Sequence, residues 1–358
     1  MNQYPRIGIL LTALLVVVSG WGITYLVMKG IELSQPSVIM VRTTPQDALA
    51  LEARVVNPAY DASHPTDSTQ LTLIMGGDVM FDRGIRAIGE RNGYDTLIAP
   101  EITALFKQAD IVAVNLEGPI ASQQSKTLVN GKTTDSFTFT SALAGAQALQ
   151  NAGVTIVSLA NNHIDNFGFA GYIETQKHLN EAGISWFGNP WNSTSSSMSI
   201  RSDLDNDSPI TTRITKNGIT VAFIGYHAFQ TGIDRVVAEI RRVAAPNVFV
   251  VVMPHWGEEY VKAPSEKMRS QARAFVAAGA DAIIGAHPHV IMDQEWVGTV
   301  PVYYSLGNLL FDQYFSTDVM TGLVVELHLS NASDRIQLEH ISTHTITLNV
   351  KRGVTLEK

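Results

Sequence analysis

The chain has 358 residues, of which 45% are hydrophobic and 16% are charged, so it can bury a sizeable core and is not a disordered protein. Its formal net charge of -8 disfavours nucleic-acid binding, because neutralising phosphates requires a basic face. The chain contains no cysteine, which excludes disulfides, thiolate metal sites, a cysteine nucleophile and attachment of a lipid to cysteine.

An apolar run at the amino terminus predicts a membrane anchor. Residues Ile7 to Met28 carry no charge between Arg6 and Lys29, and at helical rise they are long enough to cross a bilayer core of roughly 30 Å. A cleaved signal peptide is the alternative, but its apolar region is usually only about 7 to 15 residues long and precedes a small-x-small cleavage site. We therefore predict an uncleaved anchor over residues 1–30 of a single-pass cell-membrane protein, with the larger part outside the cytoplasm.

Beyond the anchor the sequence predicts a stalk and a folded domain. Residues 31–70 are rich in Pro, Ser, Thr and Asp and have little periodicity, so we expect a linker there, a domain over residues 71–345 and a tail over 346–358. Apolar residues at intervals of three and four predict helices from Pro100 to Gln108, Ser141 to Asn151, Ala170 to Ala182, Asp234 to Val243 and Pro264 to Ala278. Because apolar β-branched runs alternate with these helices, we expect mostly parallel strands.

Three regions depart from this alternation. Lys216-Asn217-Gly218 lies between two alternating runs, and Asn-Gly is a strong hairpin signal. The polar run that begins at Trp191 predicts a surface loop. After Asp293 the pattern predicts a second, more antiparallel sheet, with strands from Gln294 to Trp296, Val300 to Ser305, Gly322 to Leu329 and Ile336 to Ile341. Two sheets packed face to face with helices outside would make an α/β fold, a four-layer αββα sandwich.

Five of the apolar runs stop at residues that bind metals or transfer protons. They end at Asp78, Asn115-Leu116-Glu117, Asn161-Asn162-His163, His255 and His287-Pro288-His289. Since loops open at the carboxyl ends of the strands in an α/β sheet, we predict that these five ends form one site. Each motif alone has an ordinary structural explanation, such as a turn or a capping carboxylate, and it is their joint occurrence that favours a site. Asp, Glu, Asn and His without cysteine suit manganese, iron, zinc or magnesium.

The last of these motifs carries two histidines. His287 and His289 are two residues apart, so they would share one face if the strand continues through them. Pro288 cannot donate a ladder hydrogen bond, which predicts the end of the strand at this point.

Six motifs follow one another along the chain. They are Gly77-Asp78-Val79-Met80-Phe81, Asn115-Leu116-Glu117-Gly118, Asn161-Asn162-His163 with Asp165 and Gly168, His255-Trp256-Gly257, Gly285-Ala286-His287-Pro288-His289-Val290 and Ser305-Leu306-Gly307-Asn308. Together they resemble the CapA (PgsA) family, which is associated with synthesis and export of poly-γ-glutamate capsules, over about residues 70–345. The family's domain is similar to calcineurin-like metallophosphoesterases, so the resemblance implies that fold and one or two divalent metal ions.

The resemblance also implies metal ligands. Asp78 and His289 match ligands of a first ion, Glu117 matches a bridging carboxylate, and the ligands of a second ion are matched by Asn162, His255 and His287. The histidine expected two residues after Asp78 is Met80 here, so the first ion loses a ligand unless Asp82 or water replaces it.

Further residues are implied near the substrate. His163 matches a histidine that assists the leaving group, and Asp165 is a candidate to orient its imidazole. Arg83 and Asn308 are candidates to contact an anionic substrate. The alternatives for these two residues are a surface salt bridge and a turn amide, respectively.

Two functions from different classes fit these features. The first is an anchored component that guides poly-γ-glutamate outward together with membrane-bound synthase and export proteins, in which metal stabilises the fold. The second is a metal-dependent hydrolase of the phosphoesterase type, acting on a phosphate ester or polymer. His163 favours the enzyme because a scaffold does not need an unliganded histidine, whereas Met80 favours the scaffold. A carbohydrate-binding module is a third alternative, but no aromatic-rich stripe supports it.

Overall fold

The structure, a computed structural model, describes residues 69–130, 132–189, 210–331, 335–349 and 353–356. The predicted anchor, nearly all of the predicted stalk and the polar run at Trp191 lie outside these residues. Within the described ranges, no helix combines the length and the apolar character needed to cross a membrane.

Strands and helices alternate through most of the described chain. In order, the elements are β1 (Thr69–Val79), α1 (Arg83–Asn92), α2 (Pro100–Gln108), β2 (Ile111–Leu116), β3 (Leu128–Val129), β4 (Lys132–Thr133), α3 (Ala144–Ala152), β5 (Ile156–Ser158), α4 (Gly168–Glu181), β6 (Ser185–Phe187), β7 (Thr211–Lys216), β8 (Ile219–His227), α5 (Ile233–Val243), β9 (Val248–His255), α6 (Glu266–Ala278), β10 (Ala282–Ile284), β11 (Gln294–Val297), β12 (Val300–Tyr303), β13 (Asn308–Leu310), α7 (Thr317–Met320), β14 (Thr321–Asn331), β15 (Ile336–Asn349) and β16 (Gly353–Leu356). The five predicted helices correspond to α2 through α6. The helix α1 has no counterpart in the prediction, because only Ile85 and Ile88 mark its apolar face.

Two large mixed sheets are formed. The first has the strand order β16-β15-β14-β1-β2-β5-β6, with β13 beside the end of β1, and the second has the order β11-β12-β10-β9-β8-β7. The strands β1, β2, β5 and β6 are parallel to one another, as are β8, β9, β10 and β12. Parallel neighbours end at a common edge, so each sheet collects several strand ends in one place.

Three apolar clusters separate four layers. Side chains alternate along β1, so that Leu71, Leu73 and Met75 lie in the cluster between the sheets, whereas Ile74 and Val79 face α1 through α4. A third cluster packs α5 and α6 against the second sheet. The predicted α/β class is confirmed, and the layers follow the order helix, sheet, sheet, helix. The transmembrane helix included in the prediction lies outside the described residues.

The hairpin prediction is confirmed. The strands β7 and β8 pair antiparallel up to Lys216 and Ile219, and Asn217 and Gly218 between them have φ angles of 49° and 70°. Positive φ at both central residues is what a tight hairpin turn of this kind requires.

The prediction of a separate antiparallel sheet after Asp293 is wrong. The strands β11 and β12 join the second sheet, whereas β14, β15 and β16 extend the first sheet from the free side of β1. Alternating apolar residues identify a strand and its buried face, but they do not identify its partner. The predicted boundary at residue 345 falls within β15, and residues 346–349 pair with β16.

Candidate metal centre

Asp78 lies at the end of β1, where three strands meet in register. It pairs with Asn115 of β2 on one side and with Asn308 of β13 on the other. Its carboxylate is fully buried and accepts hydrogen bonds from Nδ2 of Asn115 at 2.7 Å and from the backbone N–H of His287 at 3.1 Å. The preceding Gly77 allows this approach, since a Cβ there would lie 1.9 Å from the carbonyl oxygen of Gly307.

Glu117, one residue beyond β2, carries a buried carboxylate whose two oxygens have no hydrogen-bond partner among the described residues. The imidazole atoms nearest to it are Nε2 of His289 at 3.7 Å and Nε2 of His163 at 3.8 Å. Burial raises the pKa of Glu117 to about 8, against the opposing effect of His289. A buried carboxylate without a hydrogen-bond partner is costly, so a cation at this position would be favourable.

His255 ends β9 and brings a nitrogen ligand to the same place. Ligand atoms of Asp78, Glu117 and His255 all lie within 4.8 Å of one another. The Nδ1 of His255 accepts from Nδ2 of Asn115 at 3.3 Å, and its Nε2 faces Oδ1 of Asn162 at 2.8 Å. Burial, with the neighbouring imidazole of His287, holds the pKa of His255 well below its ordinary value, so the ring is neutral as a metal ligand must be. This buried set of two carboxylates and an imidazole fits a divalent metal ion.

His287 and His289 lie in a loop with left-handed φ angles, so the strand ends before them, close to the end that Pro288 predicts, and they do not share a strand face. The strand β10 ends at Ile284, and the φ angles of His287 and His289 are 99° and 58°. Such angles are uncommon for residues other than glycine and collect at functional sites. The two ring centroids lie 6.1 Å apart, so the loop nevertheless keeps both imidazoles at the centre.

Asn308 supports His289. Its Oδ1 accepts from Nδ1 of His289 at 2.9 Å, while its Nδ2 contacts the carbonyl oxygens of His289 and Val319 and Oε1 of Gln313. Asn308 is fully buried, so the geometry gives no support to its predicted contact with substrate. Burial opposes protonation of His289, but Glu117 and Asp78 outweigh it and raise its pKa to about 9.

Arg83 is held at the border of the centre. Its Nε lies 3.1 Å from Oδ2 of Asp312, and its guanidinium lies 5.9 Å from the ring centroid of Phe139. The Phe139 ring in turn packs against His163 at 4.2 Å between centroids. The partly buried ion pair matches the salt-bridge alternative for Arg83, and substrate contact remains a prediction.

His163 is oriented by Asn166 and not by Asp165, which corrects the prediction. The Nδ1 of His163 donates to Oδ1 of Asn166 at 3.2 Å, whereas Asp165 accepts from Gln230 at 3.0 Å. The free lone pair of His163 therefore lies on Nε2, on the side of Glu117. Burial lowers the pKa of His163, with Asn166 acting in the opposite direction, so the ring is neutral near pH 7.

Neither Met80 nor Asp82 supplies the missing ligand. Met80 is fully buried in the apolar cluster outside the first sheet, and its sulfur accepts from the backbone N–H of Asp82 at 2.8 Å. The Asp82 carboxylate accepts from Ser125 Oγ at 2.7 Å, Thr140 N at 2.8 Å and Arg86 Nε at 3.1 Å. The suggestion that Asp82 replaces the ligand is therefore wrong, because its oxygens anchor the segment after β2.

The family model of bacterial capsule synthesis protein PGA_cap matches residues 72–313, more than half of the chain. The chain belongs to the PGA_cap family. Two curated relatives agree with this assignment and confirm the resemblance to CapA. The capsule biosynthesis protein CapA of Bacillus anthracis is 29% identical over 307 residues, covering 80% of this chain and 69% of the relative. The PGA biosynthesis protein CapA of Bacillus subtilis (strain 168) is 27% identical over 288 residues, covering 76% and 71%.

Solved structures of other proteins are similar at lower sequence identity. The calcineurin-like phosphoesterase YfkN from Bacillus subtilis superimposes with a TM-score of 0.41 and 14% identity, covering 80% of this chain and 93% of that chain. The sulfate thiohydrolase SoxB from Thermus thermophilus, solved with glycerol, gives a TM-score of 0.40 and 13% identity, covering 80% and 57%.

Three residues of this PGA_cap centre have roles that the prediction does not give them, although Asn115 lies in one of the predicted strand ends. Asn115 links Asp78 to His255, Asn166 orients His163, and the buried His227 lies beside His255. Asn115 and His227 carry the same signal as the predicted residues, because each is a polar residue at the end of an apolar strand. Asn166 has no comparable signal, since its role depends on how the loop after β5 folds back.

Changing Asp82 to Asn in this PGA_cap protein is expected to lower the free energy of unfolding by about 1.5–3 kcal/mol, the usual contribution of a hydrogen bond to a charged group. The charge that Arg86 faces is lost, and one amide cannot replace all three contacts. Urea unfolding measures the change, and Asp95→Asn on the exposed surface is the matched control. A loss of metal without a loss of stability would contradict this structural role.

Proposed function

We propose that this PGA_cap protein acts in the synthesis or export of an acidic capsular polymer, poly-γ-glutamate, and that its buried centre holds one or two divalent metal ions. The observation that carries the metal proposal is Glu117, whose buried carboxylate oxygens have no hydrogen-bond partner among the described residues. The family model spans every candidate site residue from Asp78 to Asn308, and the names of both relatives refer to capsule or PGA biosynthesis. A chain of net charge -8 repels an acidic polymer, so bound cations would favour the encounter.

The donor set suggests which residues would hold the ions. The candidates are Asp78, Glu117, Asn162, His255, His287 and His289, a mixture of oxygen and imidazole ligands that suits manganese, iron, zinc or magnesium. When bound, such an ion makes water more acidic and neutralises charge that develops on a substrate oxygen. The Asn308 contact to Nδ1 leaves Nε2 of His289 directed at Glu117. Asn115 likewise fixes His255, so the ligands are oriented before any ion arrives.

The alternative function is hydrolysis of a phosphate ester or of the polymer itself, and the placement of His163 favours it. Its side chain is 14% exposed and its Nε2 faces Glu117 at 3.8 Å. The neutral ring can accept a proton at Nε2 while Asn166 holds Nδ1, and the protonated ring can then pass that proton to a leaving oxygen. A scaffold that only binds polymer does not need this arrangement.

We also propose that residues 7–28 anchor the protein in the cell membrane, with the described domain outside the cytoplasm and close to membrane-bound synthase and export proteins. The charge-free run is the support for this proposal. A shortened chain that begins at Thr69 is expected to stay in the aqueous phase. If it remains with the membrane fraction after a high-salt wash, the run is not the sole anchor.

The proposed function is tested by Glu117→Gln in cells that lack their own copy of this protein. The substitution keeps the side-chain size but removes the charge that calls for a cation. We expect the wild-type chain to restore surface polymer and Glu117→Gln not to do so. The exposed Glu181→Gln serves as the control and should behave as wild type. Full restoration by Glu117→Gln despite a loss of metal would show that the centre has no part in the polymer pathway. Unchanged metal content in this variant would show that the Glu117 charge is not what holds the ion.

A further inference from the structure

Three neighbouring strands of the second sheet each bring a histidine to the same edge. His227 ends β8, His255 ends β9, and His287 follows β10 by three residues. His227 pairs in parallel register with His255, and His255 forms a bridge with Ala286, the residue before His287. Paired residues of adjacent strands project to the same face, so the imidazoles of His227 and His255 lie on one side of the sheet.

The imidazole of His227 is buried at this edge of the sheet. The residue is 1% exposed, and neither ring nitrogen has a hydrogen-bond partner among the described residues. Its ring contacts are edge-to-face, with His255 at 6.4 Å and with Phe229 at 5.8 Å between centroids. A polar group left unsatisfied in a protein interior costs about 1–3 kcal/mol. In the same centre, Nδ1 of His287 and both carboxylate oxygens of Glu117 are also buried without a hydrogen-bond partner among the described residues.

We propose that His227 is a further metal ligand, which together with His255 and His287 forms a position of three imidazoles. The inference rests on the metal centre proposed above and adds which metal ions that centre would prefer. Three imidazoles favour zinc or iron, whereas magnesium prefers oxygen ligands and retained water. The rings of His255 and His287 lie 4.7 Å apart and those of His255 and His227 lie 6.4 Å apart. A common ion would require the ring of His255 to give up its contact to Asn115 or to Asn162.

The test compares His227→Ala and His227→Asn with wild type in the full-length chain. Both variants should lose at least about 100-fold in zinc affinity, beyond the roughly 10- to 100-fold typical of a residue that only orients a ligand. Magnesium affinity should change less than about tenfold, because oxygen ligands dominate its binding. The visible absorption of bound cobalt should also shift, since a nitrogen ligand has been removed. Competition with a chromophoric chelator measures the affinities.

Two comparisons separate this inference from the proposed function. His178→Ala removes a histidine on the surface of α4 and should leave zinc affinity unchanged. If His255→Ala loses zinc but both His227 variants retain it, the inference is overturned while the metal centre stands. If none of the three variants loses zinc, the metal centre falls as well. Weaker zinc binding with an unchanged cobalt spectrum would also overturn the inference, because His227 would then act only by positioning. His227→Asn keeps a polar group at the position, so a folding failure of the alanine variant does not prevent the test.

Discussion

Replacing His255 or His287 with alanine is expected to remove most of the bound divalent metal from the folded protein. Each change deletes one ligand from a small set, and the remaining carboxylates of Asp78 and Glu117 cannot supply the missing imidazole. Elemental analysis of the purified variants measures the loss, and circular dichroism establishes that they remain folded.

The matched control for this experiment is His340→Ala, which removes an exposed histidine of β15 far along the chain from the centre. This variant should keep the metal content of the wild type. If both His255→Ala and His287→Ala also keep it, the strand ends do not form a metal centre, and the burial of the Glu117 carboxylate needs another explanation.

Replacing His163 with glutamine is expected to separate catalysis from simple binding. Glutamine is close in size and keeps a hydrogen-bonding group, but it does not titrate near neutral pH. If the protein is a hydrolase, the variant should bind metal normally and lose roughly 10²-fold to 10⁴-fold of turnover, the usual share of general acid-base catalysis. The loss should be smallest for aryl phosphates, whose leaving group needs little protonation.

Polymer export by the same variant gives the other half of the comparison. Normal export by His163→Gln, with no ester or γ-glutamyl substrate turned over by either protein, would leave a metal-containing scaffold as the function. Asn166→Ala provides an independent check, because it removes the contact to Nδ1 without removing the imidazole. On the enzyme hypothesis it should reduce turnover less than His163→Gln does.

The strand ends were predictable because they follow from short-range patterns. Apolar β-branched runs that stop at Asp78 or His255 identify both a buried strand and its functional end, and parallel pairing then brings the ends together. His227 obeys the same rule at the end of β8, but the strand it ends was recognised only for the Asn217-Gly218 turn that precedes it. A local turn signal can therefore conceal the functional end of the strand that follows it.

Other features depend on contacts that no short pattern contains. The left-handed angles of His287 and His289 arise where the loop packs against Asp78 and Asn308, which lie far away in sequence. The role of Asp82 also depends on contacts with residues far away in sequence. Asp82 lies two residues from Met80, which occupies a predicted ligand position. Its oxygens are used by Ser125 and Thr140, and only the tertiary fold shows that they are occupied.

The candidate centre draws its side chains from both sheets, with Asp78 and Glu117 on the first and His255 on the second. The apolar layer between the sheets, which includes Leu73 and Phe223, therefore acts as a spacer for these ligands. Protein interiors are close-packed and transmit small displacements, so the thickness of this layer helps to set how well the two halves of the centre match one ion. If the proposed centre holds an ion, hydrophobic substitutions deep between the sheets would therefore change its metal preference without altering a ligand.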